Sequence, residues 1–211
     1  MLCQRIGHGG ASALARANTL ASFDAACEIG VDMVEFDVRA WNGELVLAHT
    51  VLHARRGGNV RLGDALAHLR GRSVELNVDV KHVGCEAALI ESVRHAGLLG
   101  RTLISSQVPD VLDRVRALEP RARVGISVGG RIARFSHRWR DWRAVALAGL
   151  HTGRWDSLMA QHKLVDRALI HDVSDRGGWL YAWTVNDRAG IARLAALGVH
   201  GITTADPRLF A

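Results

Sequence analysis

The sequence has few of the features that mark membrane-spanning or exported proteins. Among its 211 residues, no stretch approaches the roughly 18 consecutive apolar residues that a transmembrane helix needs. The opening segment also has no apolar run of signal-peptide length after a basic segment. We therefore expect a soluble protein that is not exported.

Cysteine and proline are equally scarce, with three of each. Cys3, Cys27 and Cys85 are odd in number and show no C-x-x-C spacing, so a disulfide framework is not expected. Buried thiols in a reducing cytoplasm are the simplest interpretation. The chain has no proline-rich or serine-rich linker, no internal repeat and no low-complexity segment, which predicts a single domain over residues 1–211.

Charge is biased toward the basic side, with 27 Lys and Arg against 21 Asp and Glu. A net charge of +6 favours anionic partners. The densest basic cluster is interleaved with tryptophan and comprises Arg131, Arg134, Arg138, Trp139, Arg140, Trp142 and Arg143. Two interpretations stay open, a solvated helix face or a surface for peripheral contact with phospholipid; we expect no specific nucleic-acid partner.

Short strand-like runs alternate with segments of helical period, a pattern typical of βα units around a parallel sheet. The predicted strands are 3–7, 33–39, 74–81, 102–106, 124–128, 146–151, 180–185 and 201–204, with 45–49 as the second arm of a hairpin turned at Asn42-Gly43. The predicted helices are 19–29, 85–96, 110–118, 164–175 and 188–197. Eight strands favour an α/β fold, a small (β/α)8 TIM barrel, over the alternative of a doubly wound open sheet.

Polar side chains lie at the C-terminal ends of several of these predicted strands, which is the face of a barrel that carries the active site. His8 follows the first strand, and Glu35, Asp37 and Arg39 alternate on the second, so that strand period two sends all three to one face. Two carboxylates on one face repel each other, which a divalent cation with oxygen ligands relieves. The alternative is an exposed edge, or ion pairs with Arg39.

Three further residues end neighbouring runs in the same way. His49 follows the run that begins at Leu45, and Asp79 and Lys81 end the run that begins at Val74. A third carboxylate completes a set of metal ligands, and a lysine can neutralise a phosphate oxygen. Two histidines, whose pKa lies near neutral pH, suit the proton transfers of phosphoryl chemistry. The sequence therefore predicts a metal-assisted phosphodiester site.

The motifs around these residues resemble those of the glycerophosphodiester phosphodiesterase family nearly from end to end. Seven family patterns are matched, with substitutions. They are H-R-G-A at residues 8–11, E-N-T at 17–19, E-x-D at 35–37, H-D at 49–50, E-x-K at 79–81, W-T-V-N at 183–186 and G-V-D-G-I-I-T-D-x-P at 198–207. The resemblance implies a TIM barrel with a metal-dependent phosphoric diester hydrolase activity on a small anionic phosphodiester, a glycerophosphodiester or a lysophospholipid-type analogue.

The same resemblance implies a role for individual residues. His8 and His49 would be the acid and base, Glu35, Asp37 and Asp79 the ligands of Ca²⁺ or Mg²⁺, Lys81 a phosphate contact and Trp183 a wall of the substrate pocket. Packing in the core is the competing interpretation for Trp183. For Asn186, the predicted role is a helix cap before Arg188.

The sequence also departs from the family pattern. Gly9 stands where the family has an arginine, Ala17 where it has a glutamate and Thr50 where it has an aspartate. Ala205 replaces the aspartate of the family's T-D pair near the end of the chain, and Asp206 is a shifted equivalent of that aspartate. Loss of the arginine removes a bidentate phosphate contact, for which Arg39 and Arg154 are candidate replacements.

These departures leave open the alternative of a catalytically impaired barrel that binds a phosphorylated ligand or an anionic surface. Asp79-x-Lys81 is also similar to the D-x-K of sphingomyelinase D-like phospholipases, which form a cyclic product. The segment from Val51 to Arg72 is short, which predicts a short or absent insertion after the second strand unit. The sequence does not indicate the oligomeric state.

Overall fold

The computed structural model describes residues 3–129 and 137–211, and of residues 137 and 138 only the backbone. Strands and helices alternate along the chain. The strands are β1 Gln4–His8, β2 Met33–Trp41, β3 Glu44–Leu47, β4 Glu75–Val80, β5 Thr102–Ser106, β6 Arg123–Val128, β7 Ser157–Gln161, β8 Trp179–Trp183 and β9 Gly201–Thr204. The helices are α1 Leu20–Ile29, α2 Val51–Arg56, α3 Leu62–Arg70, α4 Glu86–His95, α5 Pro109–Leu118, α6 His137–His151, α7 Arg167–Ser174 and α8 Arg188–Leu197.

The sheet closes on itself into a barrel, because β1 pairs in parallel with both β2 and β9. The remaining parallel neighbours run in the order β2, β4, β5, β6, β7, β8 and β9. Strand β3 is antiparallel to β2 outside this ring and is joined to it at Asn42-Gly43, where both residues have positive φ (50° and 79°) as a two-residue hairpin turn requires. The predicted (β/α)8 barrel is confirmed.

Apolar side chains fill the barrel on both sides of its wall. A small interior cluster is formed by Ile6, Met33, Leu103, Met159 and Tyr181. A larger layer lies between the strands and the surrounding helices, where residues such as Phe36 and Trp155 are fully buried. The outer faces of the strands are therefore mostly apolar, as expected for a parallel sheet covered by helices, whereas polar residues such as Asp37 and Asn77 lie on the inner face.

One predicted strand was wrong. Residues 146–151 belong to helix α6, and the seventh strand of the barrel is Ser157–Gln161. A short apolar run does not distinguish a buried helix segment from a strand. Strand β7 contains no β-branched residue, yet it is almost entirely buried between β6 and β8. Its conformation is fixed by pairing with its neighbours and not by local propensity.

The connection between β3 and β4 is occupied by α2 and α3, which confirms that the insertion after the second strand unit is short. Helix α2 has six residues and begins at an N-cap, Thr50, whose side chain accepts a hydrogen bond from the amide of His53. The small helix lies above the C-terminal end of β2 and leaves that face of the barrel accessible.

The predicted helix cap at Asn186 was also wrong. Helix α8 is capped by Asp187, whose side chain accepts a hydrogen bond from the amide of Gly190. The Asn186 side chain instead accepts hydrogen bonds from the Ala205 amide at 2.9 Å and from the Thr204 hydroxyl at 3.3 Å. Asn186 therefore ties the end of β8 to the end of β9.

Part of the basic cluster predicted as a contact surface lies outside the described residues, namely Arg131, Arg134 and the side chain of Arg138. Of the rest, Arg143 pairs with Asp172 at 2.5 Å, whereas Arg140 and Trp142 are exposed. Among the described helices, none is both long and apolar enough to span a bilayer.

Candidate active site

The C-terminal ends of β1, β2 and β4 bring together the side chains predicted to carry the chemistry. Parallel pairing places His8 beside Glu35 and Asp37 beside Asp79. His49 follows β3, and its Nδ1 lies 3.2 Å from Oδ1 of Asp37. Residues from four separate parts of the sequence therefore meet at the mouth of the barrel, where active sites of this fold lie.

Three carboxylates form the centre of this group. One ligand atom from each of Glu35, Asp37 and Asp79 lies within 4.8 Å of the others. Glu35 and Asp37 are only 6% and 4% exposed, which excludes the exposed-edge interpretation of β2. The Lys81 ammonium lies 2.6 Å from Oδ1 of Asp37 and 2.5 Å from Oδ2 of Asp79. A single lysine charge thus faces three acidic groups.

The electrostatics of the cluster follow from this imbalance. Burial, followed by the negative charge of Asp37, raises the pKa of Glu35 well above its ordinary value. Burial also acts to raise the pKa of Asp37, but hydrogen bonds from His49 and Lys81 and the lysine charge outweigh it, so this pKa is lowered. Burial would lower the pKa of Lys81, yet the charges of Asp79 and Asp37 raise it. The lysine therefore stays charged.

The carboxylate set fits a divalent cation. Oδ1 of Asp79 is buried and has no hydrogen-bond partner among the described residues, and burial raises the pKa of this carboxyl. A buried acceptor without a partner is costly, and so are like charges held close together. Oxygen-only ligands of this kind are those that Ca²⁺ and Mg²⁺ prefer.

The two histidines lie on the solvent side of the carboxylates. His8 and His49 have side-chain exposures of 39% and 57%, and Nε2 of His8 lies 3.9 Å from Oε2 of Glu35. Burial lowers the pKa of His8 and outweighs the negative charge of Asp37, which acts to raise it. The neutral imidazole of His8 can therefore accept a proton at neutral pH. Both rings border the same two cavities.

Asn18 is part of this arrangement, although the sequence analysis assigned it no role. Its Nδ2 donates to Oδ2 of Asp37 at 2.8 Å, and its Oδ1 accepts from the Asp37 amide at 3.0 Å. The residue has φ of 61°, a left-handed conformation that asparagine tolerates better than most residues. The sequence feature that could have identified Asn18 is its position within the E-N-T-like motif. Asn18 therefore fixes the Asp37 carboxylate from the loop after β1.

We expect Asn18→Gly to weaken divalent-cation affinity by about tenfold or more, because partners that orient a ligand typically contribute that much. Glycine accepts the positive φ, so this change removes the amide without adding backbone strain. Calorimetric titration with Mg²⁺ and Ca²⁺ measures the effect. Asn18→Asp provides a comparison that retains an acceptor for the Asp37 amide; unchanged affinity in Asn18→Gly would contradict the orienting role.

Two cavities flank the histidine pair. The first, the barrel cavity, has a volume of about 160 Å³ and lies inside the strand ends, where Lys81 and Trp183 contribute to its wall. Its other polar lining residues, to which the sequence analysis gave no role, are Asn77, Ser105, Gln107, Ser127, Thr184 and Thr203. Nε1 of Trp183 is buried and has no hydrogen-bond partner among the described residues. Trp183 therefore lines the cavity and also packs against the interior cluster.

The second cavity, here called the basic groove, has a volume of about 620 Å³ and lies between the loop after β1 and helix α2. Its outer lining residues are Arg16, His53, Arg56 and Asn59. The groove meets the barrel cavity at His8 and His49. The histidine pair therefore stands between a smaller cavity and a larger one.

Comparison with known proteins identifies the family. The model of the glycerophosphoryl diester phosphodiesterase family matches residues 8–56 and 64–209. The chain belongs to this family. It is 26% identical over 237 residues to a glycerophosphodiester phosphodiesterase of Arabidopsis thaliana, covering 96% of this chain and 70% of that one. A glycerophosphodiester phosphodiesterase of Caldanaerobacter subterraneus is 24% identical over 96% of this chain and 93% of its own length.

Solved structures of the glycerophosphodiester phosphodiesterase family share the fold. The enzyme of Agrobacterium tumefaciens superposes with a TM-score of 0.78 at 21% identity, covering 99% of both chains. A phosphodiesterase of Oleispira antarctica, solved in complex with the product sn-glycerol-3-phosphate, gives a TM-score of 0.79 at 22% identity over 98% of this chain and 94% of that one. Family membership confirms the predicted enzyme class, a phosphoric diester hydrolase.

Gly9 occupies the position at which the family resemblance led us to expect an arginine. Its φ is 57° and its amide donates to Oε2 of Glu35 at 2.9 Å. A Cβ placed on Gly9 would lie 2.9 Å from Cβ of Ala17, so the loop after β1 closes over this position. The two departures from the family pattern, Gly9 and Ala17, are therefore neighbours in space.

Neither of the suggested replacement arginines lines either cavity. Arg154 pairs with Asp113 of α5 at 2.5 Å and lies before β7, at the opposite end of the barrel wall. Arg39 donates to the backbone carbonyl of His49 at 3.3 Å. The arginines that do line a cavity next to Gly9 are Arg16 and Arg56.

Two other positions at which the resemblance led us to expect a different residue have structural roles. Thr50, which follows His49 where we expected an aspartate, is the N-cap of α2. Asp206, the suggested shifted equivalent of a family aspartate, pairs with Arg208 at 2.8 Å and caps the short helical turn Pro207–Phe210. Asp206 lies outside the lining of both cavities.

Proposed function

We propose that this chain catalyses the metal-dependent hydrolysis of glycerophosphodiesters, or of related lysophospholipid-type phosphodiesters, to an alcohol and glycerol phosphate. The observation that carries the proposal is the juxtaposition of a carboxylate cluster, two of its three members buried, with two accessible histidines at the mouth of the barrel. Relatives support the substrate class, including the Oleispira antarctica phosphodiesterase, which was solved in complex with the product sn-glycerol-3-phosphate.

In the proposed mechanism, the two histidines transfer protons on opposite sides of the scissile bond. One imidazole removes a proton from the attacking water and the other donates a proton to the leaving alkoxide. Asp37 accepts a hydrogen bond from Nδ1–H of His49, which leaves Nε2 of that ring to act. His8, held neutral at neutral pH, is suited to accepting a proton first.

Glu35, Asp37 and Asp79 would hold the divalent cation, Ca²⁺ or Mg²⁺. When bound, the ion neutralises phosphate charge and polarises the phosphoryl oxygen. Lys81, kept charged by Asp79 and Asp37, supplies a fixed positive charge at the same edge of the barrel cavity. Trp183 forms a wall of this cavity and orients the bound polyol.

The proposed activity is tested by incubating purified protein with glycerophosphocholine or bis(p-nitrophenyl) phosphate in the presence of Ca²⁺, Mg²⁺ or EDTA. We expect hydrolysis that depends on the metal and stops with EDTA. Phosphorus NMR of the glycerophosphocholine reaction distinguishes a linear phosphomonoester from a cyclic phosphate. Absence of turnover with every metal across a panel of phosphodiesters would reject the enzyme in favour of a barrel that only binds a phosphorylated ligand.

The alternative of an impaired barrel is favoured by one observation, the absence of an arginine next to His8 at Gly9. Retention of two histidines in reach of the carboxylates argues against it, because a binding protein needs no proton-transfer pair. A single-domain organisation, a cytoplasmic location and peripheral contact with phospholipid through Arg140 and Trp142 stay predictions.

A further inference from the structure

We propose, on the basis of the phosphodiesterase function above, that the basic groove binds the second alcohol of the substrate and selects alcohols that carry a negative charge, such as a phosphate monoester. A phosphodiester has two alcohol substituents, and the histidine pair lies between two cavities. A phosphorus atom placed between His8 and His49 would therefore direct one substituent into each cavity.

The sizes of the two cavities indicate which alcohol substituent of the phosphodiester each of them binds. The barrel cavity, at about 160 Å³, corresponds to the liquid volume of about five water molecules, which suits a three-carbon polyol such as glycerol. The basic groove is nearly four times larger, at about 620 Å³, and opens to solvent beside α2. The larger and more variable alcohol therefore belongs in the groove.

The charge of the groove indicates which alcohols it favours. Arg16 and Arg56 line it, and neither side chain forms an ion pair or hydrogen bond with any residue in the described part of the chain. Asp37 is the carboxylate in its lining, and this side chain is already bound by Lys81, His49 and Asn18. The groove thus presents two arginines whose charge no protein carboxylate neutralises, and guanidinium groups bind phosphate well.

The loop after β1 and helix α2 position the two arginines. Arg16 lies in the loop that closes over Gly9, next to Ala17, and Arg56 is the last residue of the short helix α2. Asn59 holds the end of α2 through hydrogen bonds from its Nδ2 to the carbonyls of His53 and Ala54. The loss of one arginine beside the histidines is thus accompanied by two arginines at the rim of the neighbouring groove.

The test compares a matched pair of substrates, glycerophosphoinositol and the same compound with one additional phosphate monoester on the inositol ring. We expect the wild-type enzyme to favour the phosphorylated substrate in kcat/KM by about tenfold or more, the effect of one charged hydrogen bond. In Arg16→Ala and Arg56→Ala the preference should fall, mainly through KM. Arg55→Ala is the matched control, because Arg55 is exposed on the same helix but does not line the groove.

Each outcome separates the inference from the function on which it rests. Turnover of both substrates with no preference overturns the groove assignment and leaves the phosphodiesterase in place. Equal losses on both substrates in Arg16→Ala and Arg56→Ala also overturn it, since the arginines would then act on the scissile phosphate or on the fold. If neither substrate is turned over, calorimetric titration with inositol monophosphate and inositol bisphosphate decides: tighter wild-type binding of the bisphosphate, lost in the variants, supports the groove, and equal affinities overturn it.

Discussion

Replacing either His8 or His49 by alanine is expected to lower kcat with glycerophosphocholine by about a thousandfold, because each ring would supply one of two proton transfers. Both side chains border the barrel cavity and neither belongs to the buried core. The loss should therefore appear without a comparable loss of stability, which a thermal melt of each variant checks. His171→Ala is the control, because His171 is an exposed residue of α7 that pairs with Asp175.

The leaving group distinguishes the two histidine roles. The p-nitrophenolate ion leaves without protonation, so the variant that lacks the general acid should recover much of its activity on bis(p-nitrophenyl) phosphate, and the variant that lacks the base should not. We expect this recovery in His49→Ala. The neutral ring of His8 suits the base, and His49, which donates a hydrogen bond to Asp37, is then the general acid. Full activity of either variant on glycerophosphocholine would overturn the acid and base assignment.

The central site was predictable from the sequence because strand geometry is simple. Alternation on β2 sends Glu35 and Asp37 to one face, and parallel pairing with β4 sets Asp37 beside Asp79. Polar residues at the ends of apolar runs were thus sufficient to locate the mouth of the barrel. The same reasoning did not identify β7, whose residues have no intrinsic strand preference and are held by pairing with β6 and β8.

Contacts made by loops were not predictable in this way. Asn18 reaches Asp37 only because the loop after β1 folds back over the strand ends, with a left-handed residue at its turn. Arg16 and Arg56 are distant in sequence and become neighbours of one groove through the placement of α2. Periodicity carries no information on such positions, since it describes elements and not the paths of the connections between them.

Replacing Glu35 by glutamine or Asp79 by asparagine is expected to abolish metal-dependent hydrolysis, with a loss of about a thousandfold or more. The three carboxylate oxygens within 4.8 Å of each other would provide the binding energy for the cation, and each substitution removes one negative charge while preserving shape. Activity should not return at higher Mg²⁺ or Ca²⁺ concentration. Glu75→Gln is the matched control, because Glu75 begins the same strand as Asp79 but pairs with Arg123 away from the cavity.

Thermal melts with and without metal test the same assignment independently of activity. Metal at a hundredfold excess over its dissociation constant should stabilise the wild-type protein by about 2.7 kcal/mol, and this increment should disappear in Glu35→Gln. In EDTA the Glu35→Gln protein should melt at or above the wild-type temperature, because glutamine replaces a carboxyl group whose charged form is disfavoured by burial and by the negative charge of Asp37. A variant that keeps the full metal increment would show that Glu35 is not a ligand, and a lower melting temperature in EDTA would show that its charge is already compensated by Lys81.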